Sequence, residues 1–174
     1  FHKYWETEKI EKWQGDFNEA QEKFNDIFDE SCELRMLSER PVGAFLSGGL
    51  DSTAIVSSLS KKSKNKLKTF SVGFDWAGDE NKDAQKVANI LGTDHECITC
   101  DLDITKNLPK ILWHLDEPIG DGIILPMYAL AKAASRKVTV VQSGEGADEI
   151  LAGYFTHKIM HYGSKYNQIV PNVV

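Results

Sequence analysis

Short apolar runs alternate along this chain with longer stretches of helical spacing. Four runs rich in β-branched and aromatic residues predict strands at residues 42–46, 67–74, 95–99 and 138–142. Around them, apolar residues recur three or four positions apart, which predicts helices. The first helix follows a capping Asp16 and places on one face Phe17, Ala20, Phe24, Ile27, Phe28 and Leu34. The other predicted helices cover residues 52–62, 81–91 with Gly92 after the last turn, 108–115 and 127–137.

This alternation predicts an α/β fold, a doubly wound parallel sheet with helices on both faces. Ligands of such sheets bind beyond the carboxyl ends of the strands, where the strand order reverses. If the first strand is central, with the second and third on one side and the fourth on the other, the reversal lies between the first and the fourth. Residues 1–15 are interpreted as a connector. Residues 16–174 are interpreted as one domain, which we expect to be truncated at its C-terminal end.

The composition is that of a soluble globular protein, with 41% hydrophobic and 26% charged residues among 174. A formal net charge of -6 disfavours general binding to nucleic acid or to an anionic membrane surface. No apolar run approaches the roughly 20 residues that cross a bilayer, and no secretory signal is recognisable. We therefore expect a cytoplasmic protein without nucleic-acid or membrane partners. The sequence leaves open whether it forms a homo-oligomer.

The sequence has only three cysteines, Cys32, Cys97 and Cys100. Such a small, odd number does not indicate a disulfide framework. The stretch “HECITC” combines His95 with a CxxC pattern, which raises a metal or redox site as an alternative. A structural zinc ion needs four ligands, usually from two such clusters, and the sequence has no second cluster. On a strand the two cysteines would also lie on opposite faces. Ordinary structural cysteines are the better interpretation.

The turn “SGGLDS” joins the first predicted strand to the helix that follows. Gly48 and Gly49 allow a sharp turn and a close approach to a bulky ligand, while the amides that open the helix attract anions. Ser47 and Ser52 add hydroxyl donors, so the loop suits phosphate or pyrophosphate. Asp51 favours a bridging cation, Mg²⁺ above all, between its carboxylate and the phosphate oxygens. A plain strand-to-helix turn capped by Asp51 or Ser52 is the alternative. A lysine-bearing P-loop and a complete G-x-G-x-x-G motif are both absent from the sequence.

A second loop, “SGEGADE”, follows the fourth predicted strand and again joins Ser and Gly to carboxylates. These are Glu145, Asp148 and Glu149. Two acidic loops at one reversal point would hold Mg²⁺ from both sides, which a plain turn does not require. For Glu149 the alternative is a first-turn acid that only stabilises the helix dipole.

The two loops, with “TFSVGF”, “LGTDHE” and “DEPIGD” between them, resemble the synthetase domain of glutamine-dependent asparagine synthetases. The second loop extends to “SGEGADEILAGY”, and its combination with “SGGLDS” is specific to that group. The resemblance covers nearly the whole chain and implies the adenine nucleotide alpha hydrolase-like fold of the pyrophosphatase-loop ATP enzymes. It also implies a carbon–nitrogen ligase that uses ATP and Mg²⁺ to adenylate a carboxylate, aspartate by default. Ammonia then converts the acyl-AMP to an amide, and AMP and pyrophosphate are released.

The resemblance implies roles for individual residues. The expected pyrophosphate-binding loop comprises Ser47, Gly48, Gly49, Asp51 and Ser52. Mg²⁺ ligands would be Asp51 and Asp148, and the positions that resemble adenosine contacts are Leu46, Val72, Ser143 and Gly144. Glu145 would accept a proton from the incoming amine, with Tyr154 as a neighbouring catalytic candidate. Plain packing is the alternative for Val72 and Tyr154. Glu117 and Asp121 of “DEPIGD” are expected to shape the pocket wall, and His114 and His161 to be ordinary histidines.

Some features of the family pattern are not found in this sequence. Ala152 stands where a glycine is common, and neither a glutaminase domain nor the later charge-stabilising lysine is recognisable. Ammonia would therefore come from a glutaminase domain that is not in this chain, and the chain alone is expected to bind nucleotide but to turn over little. Two other functions stay open: a tRNA-modifying pyrophosphatase-loop enzyme that uses the CxxC pattern, and a non-catalytic nucleotide-binding module. The acceptor carboxylate also stays open.

Overall fold

The computed structural model describes residues 2–4, 6, 9–73 and 81–169. Within them the chain forms seven helices and four strands. In chain order the elements are α1 (Phe17–Leu34), β1 (Val42–Phe45), α2 (Leu50–Lys62), β2 (Lys68–Gly73), α3 (Asn81–Leu91), β3 (Asp94–Thr99), α4 (Ile104–Leu115), α5 (Ile124–Ala134), β4 (Val140–Gln142), α6 (Ala147–Leu151) and α7 (Phe155–Ile169). Trp5 and Phe74, which fall in the predicted connector and the second predicted strand, lie outside the described residues.

The four strands form one parallel sheet in the order β3-β2-β1-β4. β1 is hydrogen-bonded to β2 on one side and to β4 on the other, with Gly43 opposite both Lys68 and Val141. The predicted doubly wound sheet and its strand order are therefore confirmed. The order reverses between β1 and β4, so the loops that follow these two strands leave the sheet at the same edge.

Successive residues of β1 pack on opposite faces of the sheet, as the pleat requires. Ala44 and Leu46 join a core with residues of α1, α2 and α3, in which Val56 and Leu59 of α2 are fully buried. On the other face, Phe45 packs against a core formed by β2, α5 and the segment after α5. Helices thus cover both faces, as predicted.

The first helix begins as predicted but buries less than its pattern suggests. Asp16 caps α1 by accepting a hydrogen bond from the amide of Glu19, whose own carboxylate accepts one from the amide of Asp16. α1 ends at Leu34, well before Pro41. Of its apolar stripe, Phe28 packs against the core, whereas Phe17 stays 79% exposed. Helical spacing identified the element, but it did not determine how deeply each side chain is buried.

Two elements differ from the prediction near the C-terminal end. β4 is confined to Val140–Gln142, because Val138 packs into the α5 core and the amides of Thr139 and Val140 both donate to the carbonyl of Pro41. α7 was not predicted from the sequence, and its Phe155 is 73% exposed. Among the described residues, none of the helices combines the length and apolar character needed to cross a bilayer.

We predict that Leu59→Ala lowers the free energy of unfolding by about 2–5 kcal/mol, because it leaves a cavity in the core under β1. Leu50→Ala, in the same helix, is the matched control, since Leu50 is 85% exposed and Leu59 is fully buried. Urea unfolding of the two variants measures the difference. Equal losses in both would contradict the assignment of this core.

Candidate functional site

The turn after β1 is held by hydrogen bonds between its own serines. Ser47 Oγ lies 3.0 Å from Ser52 Oγ and accepts from the amide of Gly49 at 3.2 Å. The amide of Ser47 donates to Ser52 Oγ, and Ser52 Oγ donates to the carbonyl of Gly49. These bonds bend the chain sharply from the sheet edge into α2. The N-cap of α2 is Gly49, which makes no side-chain capping bond, so neither Asp51 nor Ser52 is the cap.

The first turn of α2 leaves backbone donors available for a ligand. The amide of Thr53 donates to the carbonyl of Gly49, as the first helical bond. The amides of Leu50, Asp51 and Ser52 precede that bond and have no acceptor among the described residues. Such amides, together with the helix dipole, favour an anion in front of α2.

Gly48 lies on the side of this turn that packs against α3. Its φ of 86° lies in the left-handed region, and a Cβ there would be 2.7 Å from the amide nitrogen of Ala84. Both facts require glycine at this position. Gly48 therefore seats the turn against the start of α3, and it is not among the residues that line the cavity in front of the turn.

The turn after β4 lies directly against the first one. A Cβ on Gly144 would be 3.0 Å from the amide nitrogen of Ser52 and 3.1 Å from Asp51 Cβ. A larger residue at 144 would push the two loops apart. Gly146, with a φ of 89°, then starts the short helix α6, which carries Asp148 and Glu149 in its first turn.

The turn from α6 into α7 lies against both of these residues. Gly153 donates its amide to the carbonyl of Asp148, and a Cβ on Gly153 would overlap Asp148 Oδ1, with Asp148 Cγ at 2.9 Å. The hydroxyl of Tyr154 donates to Glu149 Oε1 at 2.8 Å. Ala152 ends α6 with a φ of 57°, in the left-handed region that favours glycine. The glycine that is common here in the resembling family thus has a conformational reason.

A single cavity of about 680 Å³ collects the residues of both loops. Every predicted site residue except Gly48 lines it: Leu46, Ser47, Gly49, Asp51, Ser52, Val72, Ser143, Gly144, Glu145, Asp148 and Tyr154. The structure therefore brings together the positions that the sequence assigned to pyrophosphate, metal, adenosine and catalysis. Their roles remain predictions.

Part of the cavity wall was not foreseen from the sequence. Ser71 of β2, Asn81 at the start of α3 and a group around the start of α5 also line it; that group comprises Ile123, Pro126, Met127 and Leu130. With Phe45, Leu46, Phe70 and Val72, the α5 group makes one side of the cavity apolar. The apolar run before α5 was visible in the sequence. Nothing in the sequence indicated that the first turn of α5 would face the point where the strand order reverses.

The cavity is acidic. Asp51, Glu145, Asp148 and Glu149 contribute four carboxylates, and the described lining residues include no Lys, Arg or His. The hydrogen bond from Tyr154 lowers the pKa of Glu149 and raises that of Tyr154. At neutral pH Glu149 is therefore ionised and Tyr154 keeps its proton. Cations that offset these carboxylates would favour the entry of an anionic ligand.

The donor chemistry of the cavity fits Mg²⁺ shared with a phosphate ligand. All of its charged donors are carboxylate oxygens, the ligand type that Mg²⁺ prefers. Among the described residues, no group of three or more His, Cys, Asp or Glu side chains converges to hold a metal by itself. Mg²⁺ ordinarily takes one or two carboxylates and completes its shell with phosphate oxygens and water. Asp51 and Asp148, one from each loop, are the pair that the sequence predicts for this role.

The remaining sequence candidates lie outside this cavity. Glu117 and Asp121 do not line it, and Asp121 instead accepts a hydrogen bond from the amide of Ile123 before α5. His114 packs against Trp113 and Tyr128, and His161 against Tyr162. Cys97 and Cys100 are free thiols on β3 and just beyond it.

Comparison with known proteins identifies the family. The family described as Asparagine synthase matches residues 23–173 of this chain. A glutamine-hydrolyzing asparagine synthetase 1 of Bacillus subtilis is 44% identical over 131 residues, which are 74% of this chain and 21% of the relative. A putative asparagine synthetase 2 of Methanocaldococcus jannaschii is 40% identical over 130 residues, 74% of this chain and 25% of the relative. The chain thus spans a fifth to a quarter of the length of these relatives.

One solved structure is also similar. The NH3-dependent NAD synthetase of Campylobacter jejuni aligns with a TM-score of 0.49 at 19% sequence identity, over 80% of this chain and 61% of that one.

We predict opposite effects from two adjacent substitutions in the α6–α7 turn. Gly153→Ala should force the Asp148 carboxylate into another rotamer and lower the free energy of unfolding, because a Cβ has no room there. Ala152→Gly should raise that free energy by up to about 1 kcal/mol, since it removes a left-handed alanine. Urea unfolding measures both, and a crystal structure of Gly153→Ala locates Asp148. An unmoved carboxylate in that structure would contradict the prediction.

Proposed function

Since the chain belongs to the asparagine synthase family, we propose that it is the nucleotide-binding part of an ATP-dependent carbon–nitrogen ligase that adenylates a carboxylate. The observation that carries this proposal is the meeting of two glycine-bearing acidic loops around one cavity at the reversal point of the sheet. This cavity combines three features: a turn suited to phosphate, an apolar wall suited to the base and ribose of ATP, and several carboxylates suited to a metal ion. The alternatives of a tRNA-modifying enzyme and of a module without turnover gain no specific support.

In this proposal ATP lies with its phosphates over the first turn of α2. The unpaired amides of Leu50, Asp51 and Ser52 would donate to phosphate oxygens, and Gly144 leaves the space that two such close loops require. The base and ribose would occupy the apolar side, between Leu46 and Val72 of the sheet and the first turn of α5. An apolar slot with a few polar groups is typical of ligand sites of this size.

Asp51 and Asp148 would hold Mg²⁺ together with the pyrophosphate part of ATP. The bound ion would neutralise charge on the leaving pyrophosphate, which the acidic lining cannot do. Asp51 lies in the first turn of α2, and Asp148 lies in the first turn of α6, where its carboxylate leaves no room for a Cβ on Gly153. Each loop thus supplies one carboxylate to the cavity, and such placed groups would bind a shared ion with little reorganisation.

Glu145 and Tyr154 would serve the amide-forming step. A carboxylate at Glu145 can accept a proton from an attacking amine. Tyr154 gives its only proton to Glu149, so its oxygen can only accept a further hydrogen bond. Both groups therefore suit a nitrogen that carries protons. We propose aspartate as the acceptor substrate, and ammonia supplied by a glutaminase domain as the nitrogen source, by analogy with the glutamine-hydrolyzing relatives.

We predict that Asp51→Asn and Asp148→Asn each weaken Mg-ATP binding by about tenfold or more, because each removes a metal ligand and one of the charges that recruit the ion. Asp26→Asn is the matched control, since Asp26 is exposed on α1 and outside the cavity. Calorimetric titration with ATP at fixed Mg²⁺ measures the affinities, and urea unfolding checks that the variants stay folded. Affinities like that of the unsubstituted chain in both variants would remove these carboxylates from the metal site.

We also predict that adenylation splits ATP into AMP and pyrophosphate. The turn before α2 contains no lysine that could reach the β- and γ-phosphates as in a P-loop, whereas its amides suit a pyrophosphate. Aspartate-dependent exchange of labelled pyrophosphate into ATP tests this step without any need for ammonia. Chromatography of the spent nucleotide separates AMP from ADP. ADP as the sole product would contradict the mechanism.

A further inference from the structure

A chain of polar side chains, buried on β2 and half-buried on β3 and at the start of α3, ends at the wall of the cavity. Thr69 and Ser71 of β2 are fully or almost fully buried and lie on the same face of the sheet, two residues apart. His95 of β3, paired in register with Thr69, bridges them. Its Nδ1 lies 3.0 Å from Thr69 Oγ1, and its Nε2 lies 3.3 Å from Ser71 Oγ. Ser71 Oγ in turn donates to Asn81 Oδ1 at 2.7 Å.

The bond from Ser71 to Asn81 determines the direction of the other hydrogen bonds in this chain. Ser71 has one proton and gives it to the side-chain oxygen of Asn81, so Ser71 Oγ accepts from His95 Nε2–H in the Nε2–H tautomer, and Cys97 Sγ lies 3.2 Å from the same oxygen. The unprotonated Nδ1 then accepts from the hydroxyl of Thr69, which can accept from Thr93 Oγ1 at 2.9 Å. Burial lowers the pKa of His95, so the ring is neutral at pH 7 and one tautomer satisfies all of its neighbours.

The end of this chain belongs to the candidate site, whereas His95 does not. Ser71 and Asn81 line the cavity next to Val72 and Gly73, on the side that we assign to adenosine. His95 does not line the cavity. The bond from Ser71 to Asn81 also ties the end of β2 to the start of α3 across ten residues of sequence. One of the contacts that orient the Asn81 amide at the cavity wall thus comes from Ser71 of β2.

We propose that His95 is a positioning residue of the nucleotide site, which acts through Ser71 to hold Asn81 and the adjoining end of β2 against the adenosine part of ATP. This inference rests on the proposed binding of ATP. The loops that would hold pyrophosphate are fixed by bonds among Ser47, Gly49 and Ser52, while Gly48 packs against Asp83 and Ala84 in the first turn of α3. Loss of His95 should therefore affect the adenosine part of the ligand and spare the phosphates.

The experiment compares affinities for ATP, AMP and Mg-pyrophosphate by calorimetric titration. In His95→Leu we expect the affinity for ATP and AMP to fall about tenfold, while the affinity for Mg-pyrophosphate stays within about twofold. His95→Gln retains an amide donor for Ser71 and an acceptor for Thr69, so we expect it to recover most of the loss. Thr93→Val is the matched control, because it changes only the far end of the chain.

A general loss of fold and a failure of the proposed function would give different results. A destabilised fold would weaken all three ligands together, so an unchanged ratio of ATP to pyrophosphate affinity in His95→Leu would overturn the inference. Failure of the unsubstituted chain to bind ATP would overturn the proposed function, and this inference with it. Nitrogen-15 spectra provide an independent readout: we expect the Nε2–H tautomer of His95 at pH 7 and its loss in Ser71→Ala. The Nδ1–H tautomer in the unsubstituted chain would also overturn the inference.

Discussion

The parallel pairing of β4 with β1 is the constraint on which the candidate site depends. Val42, Gly43 and Ala44 lie opposite Val140, Val141 and Gln142, so both strands end at the same level of the sheet. Because parallel strands leave their following loops at one edge, the turns after them must share that edge. Two glycines then allow the two turns to pack closely at this edge. Gly48 seats the first turn against α3, and Gly144 lets the second approach the amide of Ser52. Stretches far apart in sequence thereby become one site.

The proximity of the two loops brings four carboxylates to one cavity, and their negative charge limits which ligands can bind there. Four carboxylates face a cavity to which the described residues contribute no cationic side chain, and these carboxylates would repel a free nucleotide. The amides of α2 attract phosphate, yet they supply only partial charges. A ligand that combines phosphates with a divalent cation satisfies both sets of groups at once. Selectivity for a metal-bound nucleotide over a bare anion can thus arise from the lining itself.

The sequence predicted the sheet and the two acidic loops because both depend on local signals, whereas Leu46, Val72 and Tyr154 were assigned only by the family resemblance. Alternating strand and helix patterns, a glycine turn after each of two strands and a capping Asp16 are all read within a few residues. The α5 wall and the Ser71–His95 contact could not be read in this way, since they depend on which helix covers a strand and on register between strands. The exposed α1 stripe and the unpredicted α7 have a related cause, because apolar periodicity does not measure burial.

The two halves of the cavity are supported by separate parts of the fold. The phosphate half depends on bonds inside the two loops, together with the fixed turn at Gly153. The adenosine half depends on β2, β3 and α5, through an apolar core on one face and the Thr69–His95–Ser71 contacts on the other. Energetic coupling is expected between residues that share partners, and the two halves meet where Gly48 packs against Asp83 and Ala84 of α3. Substitutions in β2 and β3 away from that contact are therefore expected to change base recognition more than the geometry of the carboxylates proposed to hold the metal.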